Sequence, residues 1–541
     1  MERLCRGQHG AQVKRKNISV NWARREALLL FSTITSGTVC GIGSHLIQVE
    51  VDISKGLPCF QMVGLLSSEV REARERVRVA LKNSGISLPP MCINVNLSPA
   101  DLRKEGTMFD LPVAVGILTC LGHLPGESTA GTVLLGELGL SGEIKPVRGI
   151  LPIVTRAKES GMRRCILPHD NAMEGAVVEG IEIIGVTDVA QTVEYLKGLQ
   201  SGRKDLIEPA QIDVMSLWKE PDGANALDFA DISGQETVKR AAEVAAAGFH
   251  HLLMIGPPGS GKTMLAKRIP SILPPLSLQE SLEVSTVYSV SGLLHSAQEI
   301  LITRRPFLNP HHTITGQALA GGGRVPVPGI ISLAHRGILF LDALPEFKRE
   351  TLDILRQPLE DKVVQIARSS GVYLFPADFM LVGAMNPCPC GYYPDMGKCR
   401  CAPYEVRRYL GRISGPILDR IDICVEAAPM KFRDISGRAA GESSARIKER
   451  VMGARQMQAQ RFAGTQLRFN ADMGVAQVEK YCALGAQEKG YMERMFSAMQ
   501  LSARGYHRIL KVARTIADLE QCGGIRKEHL SEAICYRQMW E

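Results

Sequence analysis

The segment Gly256, Pro257, Pro258, Gly259, Ser260, Gly261, Lys262 and Thr263 constrains this chain more than any other. It satisfies G-x-x-x-x-G-K-[ST] at each fixed position. The apolar run His251 to Ile255 precedes it and a helix-forming stretch from Thr263 to Arg268 follows. That strand-then-helix context separates a phosphate-binding loop from a chance glycine-rich turn. Glycines let backbone N–H groups turn inward, at a helix N-terminus whose dipole favours anions. Lys262 can reach the β- and γ-phosphates of ATP, and Thr263 can hold Mg²⁺. The sequence therefore predicts a P-loop α/β core.

Two later apolar runs end in polar residues suited to the same site. Gly337-Ile-Leu-Phe-Leu-Asp342 places a carboxylate where Mg²⁺ is held, and Phe379-Met-Leu-Val-Gly-Ala384 leads to Met385 and Asn386. An amide at Asn386 can orient water near the γ-phosphate. Around this core, 32–199 alternates short β-rich runs with helical stretches, 200–227 is polar and proline-containing, and the chain from Phe432 is helical. We expect a basic extension at 1–31, an N-terminal domain at 32–199, a linker at 200–227, the ATPase core at 228–430 and a helical lid at 431–541.

Charge and hydropathy narrow the function classes. Of the net charge of +8, residues 1–31 carry +5: seven Arg and Lys against Glu2 and Glu26. The extension reads as a flexible tail or as a phosphate-binding arm. The remaining chain is nearly neutral, so nucleic-acid binding requires a local basic surface. The longest apolar run, Leu111 to Leu121, falls short of the ~20 residues that cross a bilayer. A cytoplasmic protein with no membrane partner is expected.

The order of P-loop, acid-ending strand, Asn-ending strand and helical lid resembles an AAA+ ATPase. Arg305-Pro-Phe-Leu-Asn-Pro-His-His-Thr313, Pro328-Gly-Ile-Ile-Ser-Leu-Ala-His335, Asn386-Pro-Cys-Pro-Cys-Gly391, Ser414-Gly-Pro-Ile-Leu-Asp-Arg-Ile-Asp422 and Leu501-Ser-Ala-Arg-Gly-Tyr-His-Arg508 resemble the magnesium-chelatase-like branch. With the N-terminal domain included, the chain resembles the bacterial ComM/YifB family from Ser32 onward. The resemblance implies a homo-hexameric ring with ATP between subunits. It places Arg420 as the arginine finger offered to a neighbour's ATP, Arg504 as sensor 2, and Ile232-Ser-Gly-Gln235 beside the adenine. In one respect the chain departs from the family. The family reads Leu-Asp-Glu at the second strand, and this chain reads Leu341-Asp342-Ala343. The glutamate that polarises the attacking water is absent. ATP and Mg²⁺ binding with impaired hydrolysis is expected, as in a deliberate glutamate-to-alanine replacement that traps the ATP-bound ring.

The N-terminal domain resembles the Lon protease domain, through Leu138-Gly-Leu-Ser-Gly-Glu-Ile-Lys-Pro-Val-Arg-Gly-Ile-Leu-Pro-Ile153 and Asn94-Val-Asn-Leu-Ser-Pro-Ala100. Lon uses a Ser–Lys pair. Here Arg103 to Cys120 contains no serine, and Leu151 stands at the lysine position. Acyl transfer has neither nucleophile nor base, so we read a non-proteolytic α+β scaffold.

Fourteen cysteines are too scattered for a disulfide framework, but Cys388, Cys390, Cys399 and Cys401 form C-x-C-x₈-C-x-C. Four thiolates so spaced can hold a structural Zn²⁺; four reduced cysteines in a loop is the alternative. Adjacent His311 and His312 are poor ligands on a regular element.

Taken together, the resemblance implies a DNA motor of the helicase class. It would act on single-stranded and branched DNA, drive branch migration in homologous recombination and natural transformation, and work with a recombinase or other recombination proteins. Val363 to Phe375 reads as a β-hairpin with Arg368 at its tip, either a DNA-contacting pore element or a hairpin buried between subunits. A magnesium-chelatase-type motor and a peptide unfoldase are the alternatives.

Overall fold

Two larger sheets, of seven and five strands, organise the described residues of this chain. In the computed structural model, which describes residues 31–201, 203, 207–218, 227–294, 300–368, 371–429 and 441–537, one unit runs to Ile212 and a second from Asp213. The basic extension at 1–30, part of the linker, the hairpin turn at 369–370 and the start of the lid segment at 430–440 lie outside the described residues.

In the first unit the long strand β2 (Gly43–Ser54) buries Ile47, Val49, Val51 and Ile53 on one face and leaves the residues between them half-exposed. That period of two is the signature of a strand with one face on the core. With β1 (Phe31–Cys40), β3 (Cys59–Val63), β4 (Cys92–Ser98), β5 (Thr132–Leu134), β6 (Arg164–Pro168) and β7 (Glu182–Val186) it forms a seven-stranded mixed sheet in the order β3-β4-β2-β1-β5-β6-β7. Helix α1 (Ser68–Asn83) starts where Ser67 Oγ accepts from Val70 N–H at 3.4 Å, and it buries Val70, Ala73, Val77, Ala80 and Leu81. The longest apolar run becomes α2 (Asp110–Cys120), buried on every side as a core helix. No helix among the described residues is long and apolar enough to cross a membrane.

Parallel pairing of β3 with β4 sets Cys59 opposite Cys92, and the two are joined in a disulfide. The sequence reading treated these as two scattered cysteines. Their pairing depends on strand register across 33 positions, which no local pattern reports. Ala210 N–H donates to Ile183 O at 2.8 Å, so the chain stays on the first unit to Ile212, and Val214–Trp218 then forms a 3₁₀ turn of the second.

The second unit carries the strands β8 (Leu252–Ile255), β9 (Phe307–Leu308), β10 (Ile338–Leu341), β11 (Val363–Arg368), β12 (Gly371–Pro376), β13 (Met380–Met385) and β14 (Ile423–Glu426). β8, β10 and β13 are buried throughout, as parallel strands covered on both faces must be. The parallel sheet runs β9-β10-β13-β8-β14, so the P-loop strand lies between β13 and β14. β11 and β12 pair antiparallel from Val363↔Pro376 to Arg368↔Gly371, the expected hairpin. The lid contains α3 (Ser444–Arg461) and α4 (Ala503–Leu519). These are tied by buried Asp518, which accepts from Arg461 Nη1 at 2.8 Å and Arg514 Nε at 3.1 Å.

Candidate nucleotide site

The P-loop leaves the sheet where Ile255 stands level with Met385, and Gly256 N–H donates to Met385 O at 3.2 Å. A Cβ on Gly256 would meet Ala427 O at 2.3 Å, so glycine is required to pass between β13 and β14. Gly259 and Gly261 hold φ of 78° and 86°, the left-handed region that turns successive amides inward. Lys262 Nζ lies within the loop's own oxygens, 2.8 Å from Gly256 O and 2.9 Å from Pro257 O. It is also 3.4 Å from Asn386 Oδ1. Burial pushes its ammonium below the ordinary lysine value, against the pull of Asp342. Gln235 Nε2 donates to Ser260 O at 3.1 Å, so the Ile232–Gln235 segment adjoins the loop.

Thr263 Oγ1 donates to Asp342 Oδ2 at 2.8 Å. This hydroxyl–carboxylate pair is a hard oxygen set of the kind Mg²⁺ takes, so the residues fit the ion. Ala343 follows in the left-handed conformation, φ 54°, with its N–H on Asp342 Oδ1 at 2.9 Å. Glu346 is engaged elsewhere, 3.1 Å from Arg412 Nη1. No second carboxylate joins Asp342 at this pair among the described hydrogen bonds.

The cysteine cluster abuts this loop. A Cβ on Gly391 would lie 2.5 Å from Pro258 Cδ, so the two loops touch there. Cys388 Sγ is 3.3 Å from Cys390 Sγ and 3.8 Å from Cys399 Sγ, Cys390 and Cys399 are 3.6 Å apart, and all four sulfurs lie within 4.8 Å of one another. A tetrahedron with Zn–S of about 2.3 Å has sulfur–sulfur edges of about 3.8 Å, so the thiols fit the ion. Gly391 N–H donates to Cys388 Sγ at 3.2 Å. The backbone N–H of Tyr392 leads the contacts that lower the Cys390 thiol to about 6. His311 Nδ1 is committed to Thr313 Oγ1 at 2.9 Å, and neither His311 nor His312 joins a metal-type cluster among the described residues. The sequence reading did not single out a second grouping, Glu520, Cys522 and His529. His529 Nδ1 accepts from Arg526 N–H, so Nε2 carries the proton and donates to Glu520, which leaves that ring without a free ligand atom.

Arg420 and Arg504 do not join the P-loop of their own chain. Both line a separate cavity of about 450 Å³ with Glu360, Asp422, Arg508 and Lys511, and no P-loop residue borders it. Arg504 stands in the first turn of α4, capped by Ser502 Oγ, which accepts from Gly505 N–H at 3.1 Å. Asp422 is held by His250 Nδ1 at 3.2 Å and lies 3.7 Å from Arg508 Nε. Despite its burial, these partners keep its carboxyl far below the usual range. Arg368 is exposed at the described end of the hairpin.

The family described as magnesium chelatase, subunit ChlI matches residues 228–435. The families described as subunit ChlI of Mg-chelatase and as the ChlI C-terminal region match 49–171 and 441–537. YifB of Escherichia coli strain K12, an uncharacterized protein, is 42% identical over 94% of this chain and 97% of its own length. Competence protein ComM of Haemophilus influenzae is 40% identical over 92% of this chain and 96% of its own. The chain belongs to the YifB/ComM family.

Membership in this magnesium-chelatase-like AAA+ family implies use of ATP and Mg²⁺, in agreement with the P-loop and the Thr263–Asp342 pair. The YifB/ComM chain also resembles Lon protease 2 of Bacillus subtilis, 25% identical over 28% of this chain and 30% of that protein. Leu151 is 1% exposed, and within the serine-free stretch Arg103–Cys120 every residue from Met108 onward is buried.

Proposed function

We propose that this chain is a ring-forming, ATP-driven DNA motor, a homo-hexameric helicase that promotes branch migration in recombination and natural transformation. One observation carries the ring. The chain holds a complete phosphate-binding loop, but its two candidate arginines, Arg420 and Arg504, lie together in another cavity. A guanidinium helps phosphoryl transfer only when it neutralises charge on the γ-phosphate. Arg420 and Arg504 would therefore act on the nucleotide of an adjacent subunit, and one subunit's loop is completed by the next. Lys262, Asn386 and Gln235 position the nucleotide from the first side, and Thr263 and Asp342 would hold Mg²⁺, which supplies charge neutralisation at the phosphates. Ala343 leaves the attacking water without its carboxylate, so this chain binds ATP but turns it over poorly.

The DNA part rests on likeness to a competence protein and on the hairpin Val363–Pro376 with exposed Arg368. Sizing at micromolar protein with saturating ATP and Mg²⁺ tests the ring; a monomer under those conditions contradicts it. Binding to forked and four-way DNA with ATP, at rising salt, tests the motor, since phosphate contacts weaken steeply with salt. Absence of salt-sensitive binding sinks the DNA reading and leaves the magnesium-chelatase-type motor. We assign one Zn²⁺ to Cys388, Cys390, Cys399 and Cys401, where it would brace the loop that follows Asn386 and touches Pro258. Elemental analysis should find about one zinc per chain, lost on Cys399→Ser with Cys401→Ser; reduced protein with no zinc refutes the assignment.

A further inference from the structure

Arg420 is already committed within its own subunit. Nη1 donates to Pro416 O at 2.7 Å, and Nη2 pairs with Glu360. The Arg420 side chain is 16% exposed and that of Glu360 57%, so a shielded cation is held by a carboxylate that faces solvent. Nε is buried without a partner. An arginine so placed would lose its main anionic neighbour if Glu360 moved, and an unpaired, partly buried charge is costly.

Glu360 does not hang on a loose loop. It lies in the last turn of the short helix Arg356–Asp361. Lys362 reverses the chain at φ 57°, and β11 begins at the next residue. Lys362 is fastened by ion pairs to Asp378 and Asp472, and its carbonyl accepts from Ala377 N–H at 2.7 Å, which closes the base of the hairpin. The carboxylate that pairs with Arg420 is thus anchored to the foot of the hairpin.

We propose that Glu360 is a positioning residue that holds Arg420 in reserve, in competition with the γ-phosphate of the neighbouring subunit's ATP. This rests on the reading of Arg420 as a residue supplied to that neighbour. A half-exposed carboxylate is a weak partner, whereas a phosphate offers a guanidinium shorter, charge-assisted, bidentate bonds. Glu360 keeps the arginine paired and aimed until ATP arrives, then yields it. Removing the competing state shifts the population toward the ATP-engaged interface.

The test is an ATP titration of ring assembly, read by sedimentation or light scattering on the full chain, where Ala343 keeps turnover low. Glu360→Gln should lower the ATP concentration for half-assembly by about two- to fivefold. Glu360→Lys, which repels Arg420, should lower it further, and Glu360→Asp should leave it close to the parent. In an Arg420→Ala background Glu360→Gln should have no effect. An unchanged or raised ATP requirement in Glu360→Gln overturns the proposal, as does an effect that persists without Arg420. If Arg420→Ala alone leaves the ATP requirement unchanged, the role of Arg420 at the neighbour's site is what fails. Glu360 is exposed, and matching thermal melts will show that each variant is folded.

Discussion

In the N-terminal unit Leu151 occupies the lysine position of the Lon resemblance at 1% exposure, and the segment that would carry the nucleophile is buried from Met108 to Cys120. In the C-terminal unit Ala343 occupies a glutamate position, but it is half-exposed and sits beside Asp342, Thr263, Lys262 and Asn386, which still touch one another. Leu151 belongs to the hydrophobic core of its unit. The C-terminal site is one carboxylate short of a complete constellation. The side chain at 151 is held by core packing, whereas that at 343 is not.

The strongest way to break that contrast is reversion at each position. Ala343→Glu should raise ATP hydrolysis by about 10²-fold or more, since general-base assistance is typically worth about 10²–10⁴, or roughly 3–5 kcal/mol of barrier. The backbone at 343 already carries a Cβ in the left-handed region, so glutamate adds no new strain there. Equal rates for the parent and Ala343→Glu in a steady-state phosphate-release assay would remove the role assigned to position 343. Leu151→Lys should do the opposite of restoring chemistry. It places an ammonium where the side chain is enclosed and should destabilise the N-terminal unit by about 3 kcal/mol or more, read by urea unfolding, with no peptidase activity. A stable, casein-cleaving Leu151→Lys protein would show that the N-terminal site is dormant and not dismantled.

Local signals made much of this legible before the structure. The P-loop, the acid-ending strand and the Asn-ending strand are each read from contiguous residues, and the sheet brought them together at Lys262, Asp342 and Asn386. The hairpin was legible because strand alternation is short-range. What escaped depends on tertiary register. Nothing near Cys59 announces Cys92; nothing near Gly391 announces Pro258. Arg420 and Arg504 were named from the family pattern, but that they share one cavity, with Glu360 gripping the first, follows from how the lid helix meets the foot of the hairpin. That Gln235 bonds to Ser260 O, and so adjoins the P-loop, likewise follows from tertiary structure.

The smallest expected effect sharpens the contrast from the side of stability. His251 stands at the foot of the P-loop strand, and its Nδ1 accepts from Leu381 N–H at 3.0 Å, so the ring serves only while that nitrogen keeps its lone pair. Burial pushes its pKa from the ordinary 6.5 to about 4, against the attraction of Asp422. Between those values the unfolded chain binds a proton that the folded chain refuses. The contribution is therefore fully present above pH 6.5 and is lost as the pH falls toward 4. At about 1.4 kcal/mol per pH unit, going from pH 7 to pH 5 should cost the C-terminal unit about 2 kcal/mol through this residue. His251→Asn keeps an acceptor for Leu381 N–H and removes the titration. Its unfolding free energy, measured in urea, should fall less between pH 7 and pH 5 than that of the parent. A residual slope is expected because burial lowers His335 in the same direction. An acid limb equally steep in His251→Asn would show that the P-loop strand does not depend on a neutral ring at this position.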